Sequence, residues 1–194
     1  NGEKETGVTT FFLRHEIDTG SIIMQEKLGI EENETAGTLY VKLMTQGASL
    51  VLKTVQAIEK KNYSLTEQSK LVGNALLKDA PKLTKQNTRI DFRRTANEVA
   101  NFVRGLCPYP AAHTELDSPS SGVTLILKVF AVTPELFAHS KKIGTVESDG
   151  KSFIRVYVND GAVTLNEIQV AGRSKMTIKD FLNGFKLEGD WEMK

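Results

Sequence analysis

Hydrophobic and polar positions divide the chain into three stretches. Residues 8–13 and 21–28 are short runs rich in β-branched and aromatic side chains, and they predict two strands. Apolar residues fall on both faces of each run, so the expectation is a sheet covered on each side. Thr35 opens a helical pattern in which Leu39, Leu43, Leu50, Val51, Val55 and Ile58 share one stripe. Gly47 is a candidate kink. Lys60-Lys61-Asn62 ends the pattern, with cations where a helix C-terminus favours them. Between residues 64 and 87 the periodicity fails, polar residues, Gly73 and Pro81 dominate, and the stretch predicts a linker.

A second unit starts near Thr88. Thr95-Ala96-Asn97-Glu98 has the capping-box spacing and predicts a helix with Val99, Phe102, Val103 and Leu106 on its apolar stripe. Cys107-Pro108-Tyr109-Pro110 stops it, because a proline lacks the donor a helix interior needs. Runs at 113–116, 123–132, 143–147, 153–158 and 163–170 then alternate with turn-forming sequences. These are Ser118-Pro119-Ser120-Ser121-Gly122, Asp149-Gly150 and Asn159-Asp160-Gly161. Short strands joined by such turns predict hairpins and a small β-barrel. Thr177 and Asp180 cap a last short helix with Ile178, Phe181 and Leu182 inward.

The 194 residues, 40% hydrophobic and 25% charged, belong to a globular class and allow one large domain or two small ones. The net charge of +1 excludes a global field that demands a polyanionic partner. Charge distribution is more telling. Between residues 68 and 94, Lys70, Lys78, Lys82, Lys85, Arg89, Arg93 and Arg94 stand against only Asp79 and Asp91. A single cysteine, Cys107, excludes an internal disulfide and fits a reducing compartment. No apolar run has the length of a membrane span.

Asp18 is the first candidate for chemistry. It lies in a turn beside Thr19 and Gly20, between two strands, where a carboxylate can orient a histidine, fix a water or move a proton. The alternative is an Asx turn in which the carboxylate caps backbone amides. His15 is close in sequence, yet reads better as a partly exposed loop histidine. The basic middle suits phosphates or a solvated linker. Tyr109 either presents its ring to a base or packs in the helix stop, and packing is the simpler reading. Arg173 and Lys175, in a loop after Gly172, suit a nucleic-acid backbone or plain surface charge. Cys107 reads as buried packing. His15, His113 and His139 are far apart, and no metal-ligand spacing or glycine-rich phosphate loop is present.

Several of these residues together resemble the methionyl-tRNA formyltransferase family. They are Gly7-Val8-Thr9, Ile17-Asp18-Thr19-Gly20, Gly37-Thr38-Leu39 with Leu43, and Lys82-Leu83-Thr84-Lys85 with Arg89-Ile90-Asp91-Phe92. Arg104-Gly105, Pro108-Tyr109-Pro110, Gln169-Val170-Ala171-Gly172-Arg173 and Lys175-Met176 complete the set. The Asp-Thr-Gly turn is shared with other enzymes that use 10-formyltetrahydrofolate. The Lys-Leu-Thr-Lys to Arg-Ile-Asp-Phe block followed by a small β domain is more specific.

The resemblance implies an α/β remnant, the end of a Rossmann-like formyltransferase domain, at residues 1–63. A basic linker would follow at 64–87, then an OB-like tRNA-binding domain at 88–194. It implies formyl transfer from 10-formyltetrahydrofolate to the amine of initiator methionyl-tRNA, without a metal and in the cytoplasm or an organelle of bacterial descent. Asp18 matches the family's catalytic Asp, Thr19 and Gly20 lie at the cofactor, and Lys82, Lys85, Arg89, Arg173 and Lys175 are tRNA contacts. The family's catalytic Asn and His lie upstream and are not among these residues; His15 does not match that His. The chain alone is therefore expected to be inactive, with no membrane attachment, and its uncovered apolar N-terminal segment is expected to pair with another copy or to pack on the barrel. Another formyl-folate transferase or hydrolase, or an RNA-binding module without chemistry, are the alternatives.

Overall fold

The computed structural model describes residues 1–72 and 77–194. It resolves into two compact units, one of residues 3–34 with 38–82, the other of residues 1–2 and 35–37 with 83–194. No helix of the described residues is long and apolar enough to cross a membrane.

In the first unit, β1 (Glu5–Phe11) pairs antiparallel with β2 (Ile22–Gly29), setting Val8 opposite Glu26 and Thr10 opposite Met24. The pair alternates rather than being apolar on both faces. Glu5, Gly7, Thr9, Gln25 and Lys27 are exposed, while their neighbours in sequence are partly covered. Among the described residues the two strands pair only with each other, apart from the bridge at Ile22, so the covered-sheet expectation is not met within this unit.

The long helix α1 (Ala36–Glu59) runs without a break through Gly47, which faces Val8, so the expected kink is absent. Leu50 and Thr54 are its buried residues, and the Thr10 and Thr54 hydroxyls share a 2.9 Å hydrogen bond. Gln46 and Lys53 both reach the Glu26 carboxylate, at 3.3 and 2.7 Å. The predicted stripe mixed two faces. At about 100° per residue, Leu39, Leu43 and Leu50 turn with Thr54, whereas Val51 and Val55 turn with Tyr40 and Met44. Tyr40, Val41, Met44, Val51, Leu52 and Val55 are all about half exposed or more.

Lys61 enters the left-handed region (φ 53°) and ends the helix. Asn62 N–H bonds Ala57 O at 2.9 Å and Lys61 N–H bonds Ile58 O at 3.0 Å, closing a Schellman motif. Lys60 and Lys61 therefore lie past the last helical turn, which holds no basic residue.

The start of the expected linker is structured. Thr66 exchanges two backbone hydrogen bonds with Ile22, at 2.8 and 2.9 Å, and α2 (Gln68–Val72) follows. Gly73, read as part of the linker, lies outside the described residues.

The second unit is a nearly closed antiparallel barrel. Its sheet path begins with β5 (Val146–Ser148), β6 (Ile154–Val158) and β7 (Gly161–Val170), and continues through β4 (Val123–Leu136) and β3 (Ala112–Ser118) to β9 (Glu192–Met193). β8 (Met176–Thr177) pairs with β7. Register shifts between Val129 and Val132 bend β4, as bulges do. Closure falls to β9, which pairs with β3 and also meets the chain entering β5. Met193 N–H bonds Gly144 O at 2.8 Å, and Val146 N–H bonds Trp191 O at 3.0 Å. Ile143 lies outside β5, which starts later than its apolar run suggested.

Helix α3 (Ala96–Leu106) lays Val99, Val103 and Leu106 on the barrel interior. Its capping box is complete. The Thr95 hydroxyl accepts from Glu98 N–H at 3.3 Å, and the Glu98 carboxylate accepts from Thr95 N–H at 2.9 Å. Asp160, from the turn between β6 and β7, accepts from Ala96 N–H at 2.7 Å and so adds a second acceptor at the helix start. Thr177 caps α4 (Ile178–Gly184), and Phe181, Phe185 and Trp191 pack ring on ring beside it. Leu116, Leu127, Val129, Ile154, Val156, Val163 and Ile168 at the centre are fully enclosed.

Candidate active site

The loop between β1 and β2 carries Asp18. Its two ends are tied together where Phe12 N–H bonds Ser21 O at 3.1 Å. Gly20 is buried there, and a Cβ would come within 1.5 Å of the Phe12 carbonyl oxygen, so only glycine fits. Asp18 itself takes a left-handed conformation (φ 57°), a region that aspartate tolerates better than most residues. The Thr19 hydroxyl donates to Glu16 O at 3.0 Å, and Arg14 donates to the Ser21 hydroxyl at 3.3 Å.

Arg14, Asp18, Thr19, Ser21, Glu67, Gln68 and Ser69 line a cleft of about 310 Å³. The exposed Asp18 side chain makes no hydrogen bond or ion pair among the described residues, so it does not cap its own backbone as an Asx turn would. His15 is exposed and does not line the cleft. Gly20 lies beneath the turn and contributes backbone, not surface. Glu67 and Gln68, from the stretch read as a linker, stand beside Asp18. No local pattern marks them, because they arrive through a pairing between residues far apart in sequence. Among the described residues, no group of three or more His, Cys, Asp or Glu is placed to hold a metal ion.

The basic candidates occupy varied settings. Lys82 and Lys85 lie on exposed chain before the barrel. Arg89 bonds Glu115 at 3.3 Å and lines two clefts of about 260 and 410 Å³, with Gln86 and Asp91 in both. Arg93 is neutralised by a two-pronged pairing with Asp91, at 2.8 and 3.0 Å. His113 hydrogen-bonds through its backbone to Thr88 and Ile90. Burial holds its imidazole below the usual value, and the charges of Arg89 and Lys85 push the same way. Arg173 is exposed, and its guanidinium makes no hydrogen bond or ion pair among the described residues. Lys175 is held by Glu167 at 2.6 Å and lies 5.3 Å over the Phe130 ring. Neither Arg89 cleft contains Arg173 or Lys175. Tyr109 follows the end of α3 as expected, but its ring is 85% exposed, which overturns the packed reading. Cys107 is half-buried, and burial pushes its thiol up.

Comparison with known proteins bears on both units. Residues 82–186 match the family described as formyl transferase, C-terminal domain, and residues 1–55 match the one described as formyl transferase. The chain belongs to the formyl transferase family. It is similar to the methionyl-tRNA formyltransferase of Azobacteroides pseudotrichonymphae, with 45% identity over 95% of this chain and 57% of that protein. It is also similar to that of Bacteroides thetaiotaomicron, with 40% identity over 100% of this chain and 60% of that protein. The chain thus spans somewhat more than half the length of these curated relatives.

Two solved structures share the fold. One is HypX from Aquifex aeolicus in complex with tetrahydrofolic acid, with a TM-score of 0.60 and 19% identity over 97% of this chain and 32% of that one. The other is WlaRD, a sugar 3N-formyl transferase crystallised in the presence of dTDP and 5-N-formyl-THF. Its TM-score is 0.57, with 21% identity over 89% of this chain and 57% of that one.

Proposed function

We propose that this family member carries the aspartate side of a formyl-transfer site together with a unit that holds tRNA. The reaction is transfer of a formyl group from 10-formyltetrahydrofolate to the amine of initiator methionyl-tRNA. Residues 1–63 are then the end of a Rossmann-like catalytic domain, extended by the strand-like pairing at Thr66. Residues 88–194 form an OB-like tRNA-binding domain, joined through the basic stretch between. The observation that carries the reading is Asp18, whose carboxylate is unpaired among the described residues, lining a cleft on a turn that only Gly20 permits. The relatives named for this activity support the choice of acceptor.

The cleft suits one end of a folate. Its lining offers hydroxyls at Thr19, Ser21 and Ser69, the Asp18 and Glu67 carboxylates and the Arg14 cation. Its volume is at the low end for a ligand pocket, which fits the reacting end of the donor rather than the whole molecule. When bound, 10-formyltetrahydrofolate supplies the formyl group. Asp18 accepts the proton that the attacking amine gives up, a role worth about 10²–10⁴-fold in rate. Thr19 lines the donor's place, and Gly20 keeps the turn tight. Lys82, Lys85, Arg89, Arg173 and Lys175 hold tRNA phosphates, which position the acceptor without reading its bases. Arg89 and Lys175 give up their bonds to Glu115 and Glu167 to do so.

The test joins these 194 residues to the rest of the Azobacteroides relative. The joined enzyme is expected to formylate methionyl-tRNA in preference to small amines, and the 194 residues alone to give no turnover. Formylation of free amines at equal efficiency would favour another formyl-folate transferase instead. By itself, the uncovered face of α1 drives the 194-residue chain to self-associate.

A further inference from the structure

Asp18 holds a left-handed conformation at the tip of an exposed loop. A non-glycine residue there carries strain and persists only where its surroundings over-determine it. The loop's own bonds tie its ends and its first half: Phe12 to Ser21, Arg14 to Ser21 and Thr19 to Glu16. None of them restrains the carbonyls on either side of Thr19. That restraint comes from outside the loop. The Gln68 side-chain amide donates to Asp18 O at 2.7 Å and to Gly20 O at 2.9 Å. Its two N–H groups bracket Thr19 and pin the residues flanking it.

Gln68 is itself anchored. Thr66, two residues earlier, exchanges both backbone hydrogen bonds with Ile22, the first residue after the loop. Thus the loop and its bracket are fixed to the same strand end. Gln68 also lines the same cleft as Asp18. A glutamine is suited to this place because it alone among uncharged long side chains offers two donors on one nitrogen. A glutamate of the same shape would offer none and would face two carbonyl oxygens.

We propose that Gln68 is a positioning residue for Asp18, clamping the turn so that the carboxylate is held at the cleft. The functional half of this statement rests on the proton-handling role proposed for Asp18; the clamp itself does not. Gln68 touches neither the proton nor the transferred group. It acts by holding the backbone on both sides of Thr19.

Two measurements test it. In the 194-residue chain, Gln68→Glu and Gln68→Ala are expected to lower the backbone N–H order parameters of Thr19 and Gly20 from the rigid range, about 0.85, to that of a flexible loop, below about 0.6. Amide exchange along the β1–β2 ladder should be unchanged, which shows that the fold is intact. Gln68→Lys, which keeps donors at similar reach, should restore most of the order. In the joined enzyme, Gln68→Glu should lower kcat by about 10–100-fold with KM for tRNA and donor unchanged, the pattern of a misplaced catalytic group. Gln68→Lys should recover part of that loss.

Unchanged order parameters at Thr19 and Gly20 would overturn the clamp. Lowered order parameters with unchanged kcat, in an enzyme that Asp18→Asn inactivates, would overturn the positioning role. Full activity of Asp18→Asn would instead remove the reading of Asp18, and the order parameters would still report on the clamp.

Discussion

The barrel and the hairpin–helix unit use apolar residues in opposite ways. In the barrel, strands and helices enclose a continuous core from Ile90 to Met193, and the last strand bridges the open side of the sheet. In the hairpin–helix unit, Leu50 is the one buried hydrophobic residue among those described, and α1 turns a face of Tyr40, Met44, Val51 and Val55 outward. A closed barrel satisfies its own edges and interior, whereas two strands and a helix cannot. The difference teaches where stability and chemistry are separated. The barrel is a scaffold that stands on its own packing. The other unit leaves backbone, apolar surface and the Asp18 turn available.

That comparison can be broken or sharpened. The largest expected effect on folding is in the barrel, where Leu165 is 2% exposed. Leu165→Ala should cost about 3 kcal/mol in a denaturant melt, while Leu52→Ala on the outer face of α1 should change stability by less than about 0.5 kcal/mol. Equal costs would mean that the α1 face is covered after all. Next is association. The chain should sediment as concentration-dependent oligomers, and the pair Met44→Lys with Val51→Lys should shift it to monomer, since two charges on that outward face resist burial. A wild-type chain that stays monomeric at high concentration would contradict this.

A smaller effect concerns tRNA. Binding should weaken as salt rises, and Lys85→Ala or Arg89→Ala should each lower the slope of log K against log salt by about one. Slopes identical to wild type would place the phosphates elsewhere. The smallest effect is a titration. The His113 imidazole is held below its unfolded value of 6.5, so the unfolded chain binds the proton first as pH falls. His113 thus contributes stability above pH 6.5 that is lost as pH drops from there toward the folded value. A polyanion on Lys85 and Arg89 should raise the His113 value, because it offsets the two charges that depress it. NMR titration with and without tRNA checks both.

How much of this was legible in the sequence depended on the range of the interactions. The capping box at Thr95 and Glu98 and the cap at Thr177 are local, and both stand as expected. The turns at Asp149-Gly150 and Asn159-Asp160-Gly161 likewise join paired strands. β8 and β9 are two residues each, too short for any pattern, and exist only because β7 and β3 offer them an edge. The faces of α1 were confused because apolar residues cover more than half its circumference, and spacing does not say which part meets a partner. At the candidate site, the Asp18 turn was visible as a turn. Its neighbours Glu67 and Gln68 were not, because they come from a polar stretch with no period and are placed by the Thr66–Ile22 pairing. Tyr109 was misjudged because a helix stop fixes the backbone and says nothing about where the ring goes.

The central claim is that the Asp18 carboxylate handles the proton in formyl transfer. Asp18→Asn in the joined enzyme keeps the size of the side chain and removes the base, so its single-turnover formylation rate is the direct measurement. The account predicts a fall of at least about a hundredfold with tRNA affinity unchanged. A rate within a factor of about two of wild type, a difference worth less than about half a kcal/mol, would contradict it.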